Sequence, residues 1–253
     1  TLMLTGSSAL SATGNSANDT LVANSGNDTL TAGSGVATLI GGAGNDLFVV
    51  DNVADVVQDG VIGTNSSIQS SVSTTLAAHV DTLILTGTSA LRGTANSDNA
   101  TLVSNTGVDT LVGGTGNDVF IVNNASDVIQ TGSIAANNTI QVGFSYVLPS
   151  TVNTLVLTGT GKLKGTANSG NDTLVSGTGL DTLVGGAGSD VFVVNNSKDV
   201  IQTGSIAANN TIQTAISYTL PTTVNMLVLT GAANLSGTAN GNNDTLVSNS
   251  GVD

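Results

Sequence analysis

The chain has 253 residues and carries 4 Lys and Arg against 17 acidic residues, every one of them Asp, for a formal net charge of −13. That charge excludes a general affinity for nucleic acid or anionic lipid, no apolar run reaches membrane-spanning length, and the lack of cysteine excludes disulfides and thiolate metal sites. With 32 Gly, 2% aromatic and 8% charged residues, the composition is unlike that of an ordinary enzyme, and it favours turns over helices, for which Glu is the common filler.

The chain opens on a copy of a segment that returns as TLILTGTSALRGTAN at 82–96, TLVLTGTGKLKGTAN at 154–168 and MLVLTGAANLSGTAN at 226–240. The last three copies are evenly spaced and the first interval is longer by one nonapeptide, which divides the chain into units 1–81, 82–153, 154–225 and a partial 226–253. A shorter period runs inside the long one. Asp19 with Leu21 and Asp28 with Leu30 lead into GGAGNDLFV at 41–49, followed by Asp55 with Val57. The second unit carries Asp109 with Leu111, then GGTGNDVFI at 113–121, then Asp127 with Ile129. The third has Asp172 with Leu174, Asp181 with Leu183, GGAGSDVFV at 185–193 and Asp199 with Ile201, and the fourth has Asp244 with Leu246. Both long intervals are multiples of nine, so one nine-residue ruler is expected to hold throughout. Between the nonapeptides lie strand-rich spacers in which Pro149 and Pro221 follow Tyr146 and Tyr218 and are expected to end strands.

Within a nonapeptide, the glycines suit a tight turn and the last three residues a short strand, with the middle side chain pointing inward. Leu21, Leu30, Leu39 and Phe48 are therefore expected in the core, while Thr173, Val175, Thr182, Val184, Val191 and Val193 face outward. Repeats of this length leave a hydrophobic face that only a neighbour can cover. The expected fold is all-β, a right-handed parallel β-roll or β-solenoid forming a single continuous body over 1–253, without disulfides or a separate globular domain.

The GGxGxDxUx copies resemble the RTX, or haemolysin-type, calcium-binding nonapeptide repeats of large secreted bacterial proteins. The resemblance implies two nonapeptides per coil and Ca2+ between a turn and the turn two repeats later, held by Asp carboxylates and main-chain carbonyls. Carried onto this chain, that spacing pairs Asp28 with Asp46 and Asp172 with Asp190, each pair keeping a full glycine turn. Asp109 with Asp127 and Asp181 with Asp199 form weaker pairs, because the later turn reads NNAS or NNSK. Asp19 faces Ala37 and Asp118 faces Ala100, so each lacks a second carboxylate. The same aspartates can also serve as turn formers that cap backbone N–H groups.

No catalytic group stands apart from the repeat. His79 is the lone histidine and becomes Thr151 and Thr223 in the later copies, so it reads as a solvated turn residue. Lys162, Lys164, Lys198 and Arg92 are too scattered for a phosphate site. The expected function is non-catalytic: a calcium-stabilised repeat rod of an extracellular assembly such as a surface layer, matrix fibre or adhesin. It would self-associate laterally or end to end through uncharged outer stripes. The alternative is a calcium-binding carrier module of a type I secreted enzyme. The chain begins and ends inside a repeat and is expected to be an excerpt of a larger secreted protein, acting at the bacterial cell surface or in a matrix, with no nucleic-acid partner and no membrane insertion.

Overall fold

In the computed structural model the described residues are 1–60, 65–132, 137–204 and 209–252, and all their regular structure is β. They fall into two compact units, Thr1–Ala136 and Asn137–Asp253. Among the described residues no helix is long and apolar enough to cross a membrane.

Each unit is a stack of coils. In the first, seven parallel strands form one sheet: Ser11–Thr13, Thr29–Thr31, Leu47–Val50, Ser67–Ser70, Thr82–Leu85, Thr101–Val103 and Val119–Val122. The strands lying between them in sequence form the opposing wall, and this wall is broken into two four-stranded sheets. Leu2–Met3, Asp19–Val22, Ala37–Ile40 and Val56–Gln58 make one; Thr74–Thr75, Arg92–Thr94, Thr110–Val112 and Val128–Gln130 make the other. The second unit repeats the plan. Seven strands from Thr139–Val142 to Thr245–Val247 face a sheet of Tyr146–Val147, Lys164–Thr166, Thr182–Val184 and Val200–Gln202, then a separate pair, Tyr218–Thr219 with Gly237–Thr238. Every pairing is parallel, as expected for a β-solenoid.

Strand parity builds the core. Leu30, Phe48, Ile68, Leu83, Leu102 and Phe120 stand in register on successive strands, and each is fully buried. Ile140, Leu155, Leu174, Phe192, Ile212 and Leu227 do the same in the second unit. Leu21 and Leu39 line the opposite wall, so the expected inward set is in place. Many of the strands run one residue longer than a nonapeptide requires, which buries Val50, Val122 and Val194 as well. Opposite the leucines, Gly93 and Gly165 leave room: a Cβ there would come within 3.0 Å of Leu83 Cδ2 and of Leu155 Cδ2.

The nine-residue ruler does not survive in the spacers. Along the seven-stranded wall Leu47 stacks on Ser67, then Thr82, Thr101 and Val119, and of these steps only Thr101 to Val119 spans two nonapeptides. The step from Leu47 to Ser67 is longer, and that from Ser67 to Thr82 is shorter. Thr139, Thr154, Thr173, Val191 and Thr211 follow the same uneven series, entered at its short step. The long period is thus four coils of unequal length. The strands keep their register across steps of unequal length. The prolines do end strands: Tyr146–Val147 stops before Pro149, whose carbonyl accepts the Val152 N–H at 3.2 Å.

Candidate metal centre

The repeat aspartates end turns, and in most of them, Asp19, Asp172 and Asp244 apart, the two carboxylate oxygens do different work. One closes its own turn by accepting the N–H three or four residues back. The other reaches one coil away and accepts the N–H at the matching position there. Asp28 takes Asn24 N–H at 2.6 Å and Leu10 N–H at 2.8 Å. Asp46 takes Gly42 N–H at 2.8 Å and the N–H of Asp28 itself at 2.8 Å. The same bond joins Asp109 N–H to Asp127 at 2.7 Å, Asp172 N–H to Asp190 at 3.0 Å and Asp181 N–H to Asp199 at 2.8 Å. All four pairs expected from the spacing are therefore juxtaposed, each within one unit. They occupy two turn columns: Asp28, Asp46, Asp172 and Asp190 precede strands of the seven-stranded walls, whereas Asp109, Asp127, Asp181 and Asp199 precede strands of the broken walls. Asp19 lies beside Ala37, and Asp118 accepts the Ala100 N–H at 2.9 Å, so those junctions hold a single carboxylate.

Electrostatics single out one carboxylate. Burial raises Asp46, Asp118 and Asp190 above the ordinary carboxylate range, against the main-chain N–H bonds that lower them. Asp172 is pushed up to about 6, by burial first and then by the neighbouring Asp190 charge, while its bonds to Asn168 pull the other way. Its Oδ2 accepts Asn168 N–H at 2.9 Å, but its buried Oδ1 has no hydrogen-bond partner. A buried, unpartnered carboxylate oxygen is costly unless a donor or cation meets it.

The surroundings of that oxygen suit a hard cation. A Cβ placed on Gly186 would come 1.5 Å from the Asn168 carbonyl oxygen, and one on Gly188 1.9 Å from that of Gly170. Only glycine lets the two turns approach so closely, which brings main-chain carbonyls of one turn against the backbone of the next. The Asp28–Asp46 junction is built alike, with Gly42 over Asn24 O and Gly44 over Gly26 O. Calcium takes oxygen ligands, carbonyl and carboxylate together, in flexible geometry. Among the described residues no cluster of three or more carboxylate or histidine groups exists, so main-chain carbonyls must supply much of any calcium shell.

Sequence reading missed a second device. Where the glycine turns have their second glycine, other turns have asparagine: Asn24, Asn96, Asn105, Asn168, Asn240 and Asn249 each stand four residues before the closing position, as Gly42, Gly114 and Gly186 do. Asn168 Nδ2 donates to two carbonyls of the turn one coil back, Pro149 O at 2.9 Å and Val152 O at 2.7 Å. Asn96 bridges Ala77 O and Val80 O at 2.8 and 2.9 Å, and Asn240 bridges Pro221 O and Val224 O at 2.8 and 2.7 Å. Each amide oxygen meanwhile accepts the N–H two residues on in its own turn. The signal was present as Asn alternating with Gly at one turn position. Asp81 was also missed: it occupies the aspartate column before Thr82, and its Oδ2 has no partner.

His79 sits half-buried in the turn before Asp81 with φ 66°, and it joins no metal-binding cluster among the described residues. The family model of the RTX calcium-binding nonapeptide repeat (4 copies) matches residues 13–48, 94–133 and 166–201, which contain all eight paired aspartates. No curated protein and no solved structure matches the chain. The repeats of that family bind calcium, and proteins that carry them are generally secreted by bacteria. The nonapeptide turns that close on these aspartates match the RTX calcium-binding repeat, and their strands stack in parallel as a β-roll.

Proposed function

We propose that this chain is a structural, non-enzymatic segment of an extracellular bacterial assembly, a surface layer, matrix fibre or adhesin. Calcium would stiffen it at the Asp28–Asp46 and Asp172–Asp190 junctions first, and at Asp109–Asp127 and Asp181–Asp199 more weakly. It would associate with further copies of itself.

The observation that carries this reading is the outer face of each seven-stranded wall. In the first unit the outward positions are Ser, Thr, Leu, Val, Gln and Ile, from Ser11 to Ile121, and none is charged. In the second they run from Thr139 to Val247, again without a charge. The broken walls differ, since Arg92 and Lys164 stand on them. Val175 and Val193 are neighbours on the uncharged face, whereas Val184 belongs to the opposite wall. A flat, β-branched, uncharged surface invites side-by-side packing. Each valine buried there contributes on the order of 1 kcal/mol.

Val103→Lys, Ile121→Lys, Val175→Lys and Val193→Lys together are expected to disperse the assembly with the β-rich spectrum intact, while Val184→Lys leaves it assembled. Sedimentation with calcium present reads the outcome. A wild-type chain that stays monomeric at high concentration overturns the structural reading in favour of a carrier module of a type I secreted enzyme.

A further inference from the structure

Two kinds of coil junction alternate in this chain, and they differ in what meets the carbonyls of the turn below. At Asn96, Asn168 and Asn240, which head their turns, Nδ2 lies 2.7–2.9 Å from two of those carbonyls at once, while Asn24 reaches one, Ser8 O at 3.1 Å. Where glycine heads the turn, that residue has no side chain to reach down, although Thr115 in the Gly114 turn donates its hydroxyl to Ser97 O at 3.2 Å. Two converging carbonyl oxygens repel unless something positive lies between them, and an amide NH2 supplies two donors for that purpose. A calcium ion bridging the coils would need the same oxygens and the same space.

The chain contains its own comparison at one position. Asn105 donates to Ser89 O at 2.9 Å and, more weakly, to Thr86 O at 3.4 Å; Asn249, its equivalent two long periods on, donates to Ala233 O at 2.9 Å and Thr230 O at 3.3 Å. Midway between them stands Gly177. The turn closes in the same way, with Val108 replaced by Leu180: Gly177 N–H bonds Asp181 at 2.8 Å as Asn105 N–H bonds Asp109 at 2.7 Å. A Cβ on Gly177 would meet Gly159 O at 2.4 Å, and one on Gly179 would meet Gly161 O at 1.9 Å. The amide bridge has been removed, Ser89 of the turn below has become Gly161, and carbonyls are left facing glycine. The clamp recurs in a second form, where Asn124 joins Gly107 O at 2.8 Å and Thr106 O at 3.0 Å.

We propose that an asparagine amide at the head of a turn takes the place of a calcium ion at that junction, so that asparagine-headed junctions hold without metal and glycine-headed ones require it. The inference rests on the repeats binding calcium and narrows which junctions do so: the clamps of Asn124 and Asn196 leave the Asp109–Asp127 and Asp181–Asp199 junctions with less need of the ion, in line with the weaker binding proposed for them. Among the turns that close on an aspartate, glycine heads those at Gly42, Gly114, Gly177 and Gly186, and the chain would stay partly stacked when calcium is withdrawn.

The test uses the full chain and its Asn105→Gly and Asn105→Asp variants, with calcium chloride or a chelator as the only ligand probe. Hydrogen exchange is followed at residues 86–91 and 104–109, with 158–163 and 176–181 as the internal glycine-headed reference, and calorimetry counts bound calcium. In the wild type the Asn105 junction is expected to be equally protected in both conditions, and the Gly177 junction only with calcium. Asn105→Gly is expected to lose about tenfold in protection under chelator, the worth of the missing hydrogen bonds, to regain it with calcium, and to bind one more ion. Asn105→Asp, which turns the donor into an acceptor, should be more labile still in chelator and should likewise be rescued by calcium. If calorimetry finds no calcium bound by the wild type, the calcium reading itself fails; if calcium binds but the Gly177 junction ignores it, glycine-headed junctions do not require the metal and the inference is wrong. If Gly177 responds while both variants keep wild-type protection in chelator, or lose it and calcium does not restore it, the substitution of amide for cation is wrong.

Discussion

Asp172 shows what a single buried carboxylate asks of its surroundings. One oxygen is bonded to the Asn168 N–H and the other meets nothing, and burial with the Asp190 charge lifts its pKa to about 6. An acid whose pKa is raised on folding is held protonated more tightly by the folded chain than by the unfolded one. Its stabilising contribution is full below the ordinary value near 4 and is lost as pH rises through about 6. Asp46, Asp81, Asp118 and Asp190 are raised in the same direction, chiefly by burial. In chelator the melting temperature should therefore fall as pH is raised from about 5 to about 7, and calcium should abolish or reverse the fall. Asp172→Asn should flatten the chelator profile. A melting temperature that climbs over that range in chelator would show that the carboxylates are stabilised by their charge instead.

At the scale of the turn and strand, close approach governs. Gly186 cannot accept a Cβ without moving the Asn168 carbonyl, whereas a Cβ on Gly161 would meet only Leu163 Cδ2 at 3.9 Å. Gly186→Ala is expected to cost about 3 kcal/mol and Gly161→Ala close to nothing, read from denaturant midpoints, and equal effects would mean that the turns can part freely. Much of this was legible beforehand. Parity placed Leu30, Phe48 and Leu174 inside, and the step of two nonapeptides brought Asp28 to Asp46 and Asp181 to Asp199. Coil length was not legible, because only strand residues feel the register, and the steps from Leu47 to Ser67 and on to Thr82 differ in length without disturbing it. Nor were the amide clamps, because Asn96 and Asn168 look like polar filler until the turn one coil back supplies each with two carbonyls, those of Ala77 and Val80 and of Pro149 and Val152.

Across the whole molecule, stability in a stack is close to a sum of coils and of the junctions between neighbours. What matters to a junction is which coil types meet there, and the order of coil types recurs with the long period: the pairing of Ser67–Ser70 with Thr82–Leu85 is repeated by Thr139–Val142 with Thr154–Leu157 and by Thr211–Thr214 with Met226–Leu229. Excising residues 82–153 should then leave a chain that folds with an unchanged β spectrum and nearly unchanged melting temperature, while a deletion one nonapeptide shorter should aggregate or melt early. Equal tolerance of both deletions would show that the nonapeptide, and not the set of four coils, is the unit of folding. The unequal coils thereby acquire a genetic meaning. Homologous DNA copies that misalign during replication exchange whole sets of four coils and join like to like, so the gene can lengthen or shorten the protein by recombination without ever writing a new interface.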